Sequence, residues 1–160
     1  SVSAARAVAG ASAVEIFSED MSLLDKIDNP AGAVPSSVVF LGDALAVCKD
    51  GGKLMVFDKG RVSEVADNAG SALCADDKGT LLFSAMKLND EVVQFSMPKQ
   101  ERQTSFLSAK TKPQTRGDVA FMSWLPQHSA LLVVDSKGSF SLFHKPGKKW
   151  KKELLLEAGK

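Results

Sequence analysis

Four side chains in this chain of 160 residues are of the types that bind transition metals, namely Cys48, Cys74, His128 and His144. Structural zinc sites usually take their ligands in close pairs, with about two to four residues between two cysteines. No two of these four side chains are that close, and 25 residues separate the two cysteines. We therefore predict no metal site and no cofactor. We expect two buried thiols in a reducing compartment, with a disulfide as the alternative.

Three short stretches rich in Asp, Gly and Lys resemble ion-binding loops in composition: "KDGGK", "DDKG" and "DSKG". A calcium loop needs oxygen ligands at alternate positions, and a phosphate-binding loop needs the pattern G-x-x-x-x-G-K-[ST] leading into a helix. Neither pattern is present. Asp, Asn and Gly tolerate the positive φ that tight hairpin turns require. The three stretches are therefore predicted to be structural turns.

Nucleophilic catalysis by Ser or Cys needs a nearby base and a third group that orients the base. The chain has two histidines and no G-x-S-x-G motif, and its sequence offers no reason to pair Cys48 with either histidine. His128 lies in "PQHSA", which is typical of an exposed loop, and His144 is expected near the end of a strand. We predict no catalytic residues and no enzymatic activity.

The densest cluster of charge is the stretch "HKPGKKWKKE". As a binding site it would grip phosphates or an acidic protein surface, with the indole available to stack on the partner. The alternative is an exposed hairpin whose lysines favour solubility and whose tryptophan packs on a sheet. The candidate partner-binding residues are Lys145, Lys148, Lys149, Trp150, Lys151 and Lys152.

The total charge of the chain is nearly balanced, with 20 basic and 19 acidic side chains, which excludes a polycation. The balance hides a gradient: residues 1–96 carry 8 basic and 14 acidic side chains, whereas residues 97–160 carry 12 and 5. The polar stretch 97–118 is expected to hold one short strand, "TSFLSA", and a flexible connection around Pro113. A long loop on a rigid scaffold often carries recognition, so this stretch is a second candidate contact surface.

The elements that must position these residues are short strands. Apolar residues show no helical period, and β-branched and aromatic runs alternate with clusters of Gly, Asp, Asn, Lys and Pro. No apolar run approaches the roughly 20 residues needed to span a bilayer, so we predict no membrane insertion. The pattern predicts an all-β fold.

An internal repeat organises these strands. Four segments, "AVEIF", "KLMVF", "EVVQF" and "SFSLF", end at Phe17, Phe57, Phe95 and Phe143, with spacings of 40, 38 and 48 residues. Each follows a small or apolar strand and precedes another strand, and the last three copies also have an opening strand. Four short strands in about 40 residues are the period of a propeller blade. The predicted units are an incomplete blade at 1–29 and blades at 36–67, 70–110 and 116–158.

This arrangement is a single propeller segment of about three and a half four-stranded antiparallel blades. Because side chains alternate along a strand, Leu54 and Val56 should face one neighbouring blade and Phe57 the other. In the third unit, Val92 and Gln94 should likewise face the blade opposite to the one that Phe95 faces.

The repeat resembles the WD-repeat β-propellers, whose blades end their third strand with Trp-Asp. Phe57-Asp58 stands at that dipeptide, with Phe in place of Trp, and Asp58 is the one aspartate at the corresponding positions. No Gly-His dipeptide is present, so the hydrogen-bond network typical of the family cannot be assigned. Other positions matching the family are Phe17-Ser18, Phe95-Ser96, Phe143-His144, and the corner pieces Trp124-Leu125-Pro126 and Asp77-Lys78-Gly79.

The resemblance implies a non-enzymatic scaffold that binds protein partners within a multi-subunit complex, in the cytoplasm or the nucleus. A closed ring typically has about four to eight blades, so further blades of the same chain or of a partner are expected to complete it. Two alternatives stay open. One is a propeller bound to RNA or another nucleic acid through the basic C-terminal part, and the other is a propeller hydrolase of the lactonase kind.

Overall fold

The computed structural model describes residues 6–10, 13–28, 34–49, 52–86, 92–97, 101–107, 118–144 and 150–156. These residues form antiparallel β-strands and one turn of 3-10 helix at Pro126–His128, with no α-helix among them. The all-β prediction is confirmed. Strands dominate because β-branched, aromatic and small apolar residues alternate over short runs that Gly and Asp turns interrupt.

The strands form four meanders, in which chain neighbours are also sheet neighbours. We number them blades 1 to 4. Blade 1 has three described strands, and the other blades have four each. Blade 1 contains β1 (Arg6–Ala9), β2 (Ala13–Phe17) and β3 (Leu23–Asp28); blade 2 contains β4 (Pro35–Leu41), β5 (Ala44–Lys49), β6 (Leu54–Asp58) and β7 (Arg61–Ala66); blade 3 contains β8 (Ala69–Ala75), β9 (Leu81–Met86), β10 (Val92–Ser96) and β11 (Glu101–Leu107); blade 4 contains β12 (Val119–Leu125), β13 (Ala130–Asp135), β14 (Phe140–His144) and β15 (Lys151–Leu156).

The opening strands bring the blades together. The opening strand β8 contacts the opening strands β4 and β12, and β1, the second strand of its unit, contacts β4. The first strands therefore line one side of the array, and the fourth strands lie away from it. This is the radial stacking of a partial propeller. The described part of blade 1 is a three-stranded sheet, and the predicted blade boundaries stay a prediction. The predicted strand "TSFLSA" overlaps β11, whereas Pro113 lies outside the described residues.

Each pair of blades encloses an apolar layer. Leu54 and Val56 of blade 2 pack with Leu82, Val93 and Phe95 of blade 3, and all five side chains are at most 2% exposed. The layer between blades 3 and 4 includes Phe83, Val92, Leu131, Val133 and Phe143. The layer between blades 1 and 2 is smaller, with Val14, Leu45 and Val47 at its centre.

These layers confirm the predicted alternation. Leu54 and Val56 face blade 3, whereas Phe57 packs on the layer shared with blade 1. Val92 belongs to the layer shared with blade 4, and Phe95 to the layer shared with blade 2. The alternation follows from the pleat, which points successive side chains to opposite faces of a strand.

Two buried aspartates hold the predicted turns. The Asp76 carboxylate accepts hydrogen bonds from the backbone N–H groups of Thr80 and Leu81, at 2.7 and 2.9 Å. Asp135 Oδ1 accepts from the N–H groups of Lys137 and Ser139 at 3.0 and 2.9 Å. The prediction that "DDKG" and "DSKG" are structural turns is confirmed.

Gly79 shows how tightly these turns pack between blades. Its φ is +65°, and a Cβ there would lie 2.5 Å from the Gly42 nitrogen and 2.8 Å from the Leu41 carbonyl carbon. A side chain would collide with backbone, so glycine permits this contact between the first turns of blades 2 and 3.

Candidate interaction surfaces

The predicted basic patch is only partly described. Lys145, Lys148 and Lys149 lie outside the described residues, and Lys151 and Lys152 open strand β15 with the Lys151 side chain exposed. The role of this patch in partner binding therefore stays a prediction.

Trp150 lies against blade 3. Its Nε1–H donates a hydrogen bond to Gln94 Oε1 at 3.0 Å, and its ring meets Phe83 edge-on, with centroids 5.7 Å apart and an interplanar angle of 80°. The indole is half-buried. This placement matches the alternative in which Trp150 packs on a sheet, and it explains why a polar Gln94 is buried at the centre of an apolar layer.

Trp124, on strand β12 of blade 4, contacts the same phenylalanine. Its ring stacks on Phe83 at a centroid distance of 5.8 Å and an interplanar angle of 17°, and its Nε1–H donates to Asp77 Oδ1 at 2.9 Å. The sequence pattern had placed Trp124 and Asp77 in two separate blade corners. The sequence pattern did not indicate that Trp124 and Asp77 are in contact. It also did not indicate that Phe83 and Gln94 of blade 3 contact the two tryptophans of blade 4.

The phenylalanines that end the repeated strands differ in burial. Phe95 and Phe143 are 2% and 3% exposed, whereas Phe57 is half-buried. Phe17 pairs in register with Arg6 on strand β1 and is half-buried. Phe17 lies on the opposite side of β2 from Val14 and Ile16, which pack toward blade 2.

Asp58 ends strand β6 and is exposed to solvent. Its carboxylate accepts no hydrogen bond from any residue that the structure describes. The aspartate network that defines intact WD repeats is therefore missing at the residue that best matched the family. The carboxylates that do hold the blades, Asp76 and Asp135, belong to other turns.

The histidines and cysteines lie apart. His128 is exposed in the 3-10 turn, and His144 ends strand β14. Cys48 and Cys74 are buried thiols that no disulfide joins. Within the described ranges, no three His, Cys, Asp or Glu side chains are grouped so that they could hold a metal ion.

The two cysteines should resist thiol reagents in the folded protein. Burial raises the pKa of the Cys74 thiol to about 11, so the reactive thiolate is scarce near neutral pH. We expect neither thiol to react with dithiobis(nitrobenzoate) at about pH 8, and both to react once urea unfolds the chain. Native labelling at the rate of free cysteine would contradict the predicted burial.

One face of blade 4 is uncovered and apolar. Phe121, Val134, Phe140 and Leu156 pair across the four strands in register, so their side chains form one row on the face opposite to blade 3. Phe121 is 54% exposed, Phe140 37% and Leu156 58%. The corresponding face of blade 3, which carries Phe83 and Val92, is covered by blade 4. The uncovered row therefore has the composition of an inter-blade surface.

No helix in the described part of the chain is long and apolar enough to cross a membrane.

Comparison with known proteins supports the fold through structure alone. No protein-family model matches the chain, and no curated protein matches it in sequence. Solved structures do match, including dihydro-heme d1 dehydrogenase NirN in complex with DHE, at a TM-score of 0.69 and 16% identity over 94% of this chain and 34% of that one. An inactive variant of virginiamycin B lyase from Staphylococcus aureus, with quinupristin, matches at a TM-score of 0.66 and 11% identity, over 96% and 53% of the two chains.

A third match is itself a β-propeller domain. The β-propeller domain of Cps50 (Swd1) from Myceliophteria thermophila matches at a TM-score of 0.58 and 18% identity, over 76% of this chain and 38% of that one. The chain thus spans from about a third to about half of the length of these structures. Its fold is that of a partial β-propeller, and at these identities the likeness extends to the fold alone.

Proposed function

We propose that this chain is one part of a closed β-propeller that acts as a rigid, non-enzymatic platform for protein partners within a larger assembly. The WD-repeat type is the propeller type that its repeat pattern fits best. The observation that carries the proposal is the uncovered apolar row on blade 4, formed by Phe121, Val134, Phe140 and Leu156.

The energetics favour a cover for this row. Fully burying a Phe or Leu side chain contributes about 1.5 to 3 kcal/mol, so covering side chains that are about half exposed contributes roughly 1 kcal/mol each. A further blade would cover the row as blade 4 covers Phe83 and Val92. Propellers typically have about four to eight blades, so the remaining blades come from further residues of the same protein or from a partner.

Partner recognition then falls to charged segments outside the apolar layers between blades. The lysines of the basic cluster (Lys145, Lys148, Lys149, Lys151 and Lys152) and the stretch 97–118 are the proposed protein-binding segments, whereas Trp150 packs on blade 3. Their positive charge suits an acidic protein surface. The buried, unbridged thiols are compatible with a cytoplasmic or nuclear location.

The test is to substitute Phe121→Lys in the protein isolated with its native assembly. A charge on the row must be desolvated when the row is covered, so we expect at least about a tenfold loss of co-purifying blades or subunits. Lys137→Glu, on an exposed turn of the same blade, is the control and should retain them. If Phe121→Lys leaves the recovered assembly unchanged, the row is not a ring interface.

The charge gradient favours a second candidate function, which is binding of nucleic acid through residues 97–160. This part of the chain has 12 basic and 5 acidic side chains. Neutralising Lys148, Lys149, Lys151 and Lys152 to glutamine should then weaken RNA binding and reduce its salt dependence. RNA binding that is absent, or that the quadruple variant retains, would leave the protein platform as the function.

A further inference from the structure

A groove of about 510 Å³ lies between blades 1 and 2. Its apolar lining comes from both blades and includes Ile16, Ile27, Phe40, Leu45 and Phe57. Of these, Leu45 is 2% exposed, and the other four are half-buried. The volume is within the range of about 300 to 1,000 Å³ that ligand sites usually have.

Opposite charges line the two walls of the groove. Blade 1 contributes Asp25, Lys26 and Asp28, and blade 2 contributes Asp43, Lys59 and Arg61. The blade 1 wall therefore has one net negative charge, and the blade 2 wall has one net positive charge.

The charges of the blade 1 wall are partly satisfied within the protein. Lys26 Nζ lies 3.7 Å from Asp28 Oδ1, and the Lys26 backbone N–H donates to Asp25 Oδ1 at 2.7 Å. On the blade 2 wall, neither Lys59 nor Arg61 pairs with a carboxylate among the described residues. Lys53 in the same blade shows the contrast, because its Nζ lies 2.8 Å from Glu64 Oε2.

The hairpin turn between β6 and β7 holds the unpaired cations in place. Asp58 pairs in register with Arg61, so Lys59 and Gly60 form a two-residue loop, and their φ angles are 48° and 77°. Positive φ at both positions is the signature of a type I′ turn, which fixes the strands that flank it. Arg61 is therefore presented by a rigid element rather than by a long loop.

One large apolar side chain of the groove lining is exposed. Val62, on strand β7 of the blade 2 wall, lines the groove and is 52% exposed. It offers a partner further apolar surface to cover beside the half-buried floor.

We propose that this groove binds an extended segment of a partner protein that places an apolar side chain on the floor and a carboxylate against Arg61 and Lys59. The floor requires an apolar group, and the unpaired guanidinium favours a carboxylate, which it can bind in a bidentate manner. A nucleic-acid backbone fits poorly, because Asp25, Asp28 and Asp43 would repel its phosphates. This inference rests on the proposed platform function and adds the place and the chemistry of one binding site.

The experiment is selection of a randomised peptide library on the 160-residue chain, followed by fluorescence anisotropy of the enriched peptides. We expect them to share an apolar residue near an acidic one. Arg61→Glu and Val62→Asp should each weaken their binding by about tenfold or more. Lys137→Glu and Val34→Asp are the matched controls, because they make the same changes in charge and polarity at exposed positions that line neither the groove nor the row on blade 4, and both should bind normally.

The outcomes separate this inference from the proposed function. Peptides that bind the Arg61→Glu and Val62→Asp variants as tightly as the original chain would overturn the groove site and leave the platform function standing. Failure to enrich any peptide would also overturn the groove site, whereas the platform function is judged by the Phe121→Lys assembly test. Enrichment of basic peptides that lack acidic residues would contradict the role of Arg61.

Discussion

Replacing Phe83 with alanine should lower the free energy of unfolding by about 4 kcal/mol, the largest effect that we expect from a single substitution. Phe83 is 0% exposed, and both tryptophans of the chain contact its ring. Truncating a buried phenylalanine typically costs about 3 to 5 kcal/mol, and the lost aromatic contacts add to the lost apolar burial. Urea unfolding followed by tryptophan fluorescence measures the change directly, since Trp124 and Trp150 both lie at the altered site.

The matched control for this substitution is Phe121→Ala, which removes the same atoms from a ring that is 54% exposed. We expect a change of about 0.5 kcal/mol or less, as for most surface substitutions. Equal effects at the two positions would show that blades 3 and 4 do not stack through Phe83. If Phe83→Ala proves too unstable to purify, Phe83→Leu should fold with a smaller loss and allow the same comparison.

Replacing Asp76 with alanine should lower the free energy of unfolding by about 3 kcal/mol. Its carboxylate is 9% exposed and accepts from the N–H groups of Thr80 and Leu81 and from the Thr80 hydroxyl, whose Oγ1 is 2.6 Å from Oδ2. Alanine removes all three hydrogen bonds, and because Thr80 is exposed and Leu81 is half-buried, each lost bond to the carboxylate costs about 1 kcal/mol. Gly79 of the same turn packs against Gly42 of blade 2. A less ordered turn should therefore also weaken the contact between blades 2 and 3.

Asp58→Ala is the control for Asp76, because Asp58 is exposed and has no hydrogen bond to a described residue. We expect its unfolding free energy to match the original protein within about 0.5 kcal/mol. The pair of variants also tests how far the WD-repeat likeness extends. In an intact repeat the aspartate at this position stabilises the blade through hydrogen bonds. A large loss of stability in Asp58→Ala would indicate that Asp58 makes such bonds. A small loss would mean that the likeness is limited to the repeat of strands.

The stability of the blade contacts bears on the proposed function. A platform must hold its loops and grooves in one arrangement, and the contacts of Phe83, Gln94 and the two tryptophans tie blade 4 to blade 3. The layer between blades 1 and 2 is smaller and leaves the groove open beside it. The array is thus tightly packed where blades 3 and 4 meet and open where we place the peptide site.

The strands could be predicted from the sequence because their signals are local. The four repeated segments that end at Phe17, Phe57, Phe95 and Phe143 overlap β2, β6, β10 and β14, and the opening and closing strands of the later units are also present. A period of two residues and turns rich in Asp and Gly are readable within a window of ten residues or so. Stacking of blades followed from the repeat, since one meander cannot cover both of its own faces.

The partners across blades are what only the tertiary structure decided. Trp124 meets Asp77 across 47 positions of sequence, and Trp150 meets Gln94 across 56. Such pairs depend on how far one blade is rotated and shifted against the next, which no local pattern encodes. For the same reason no sequence pattern singled out Lys59 or Arg61. The β6–β7 hairpin becomes one wall of a groove only because blade 1 packs beside it and supplies the apolar side chains and carboxylates of the other wall.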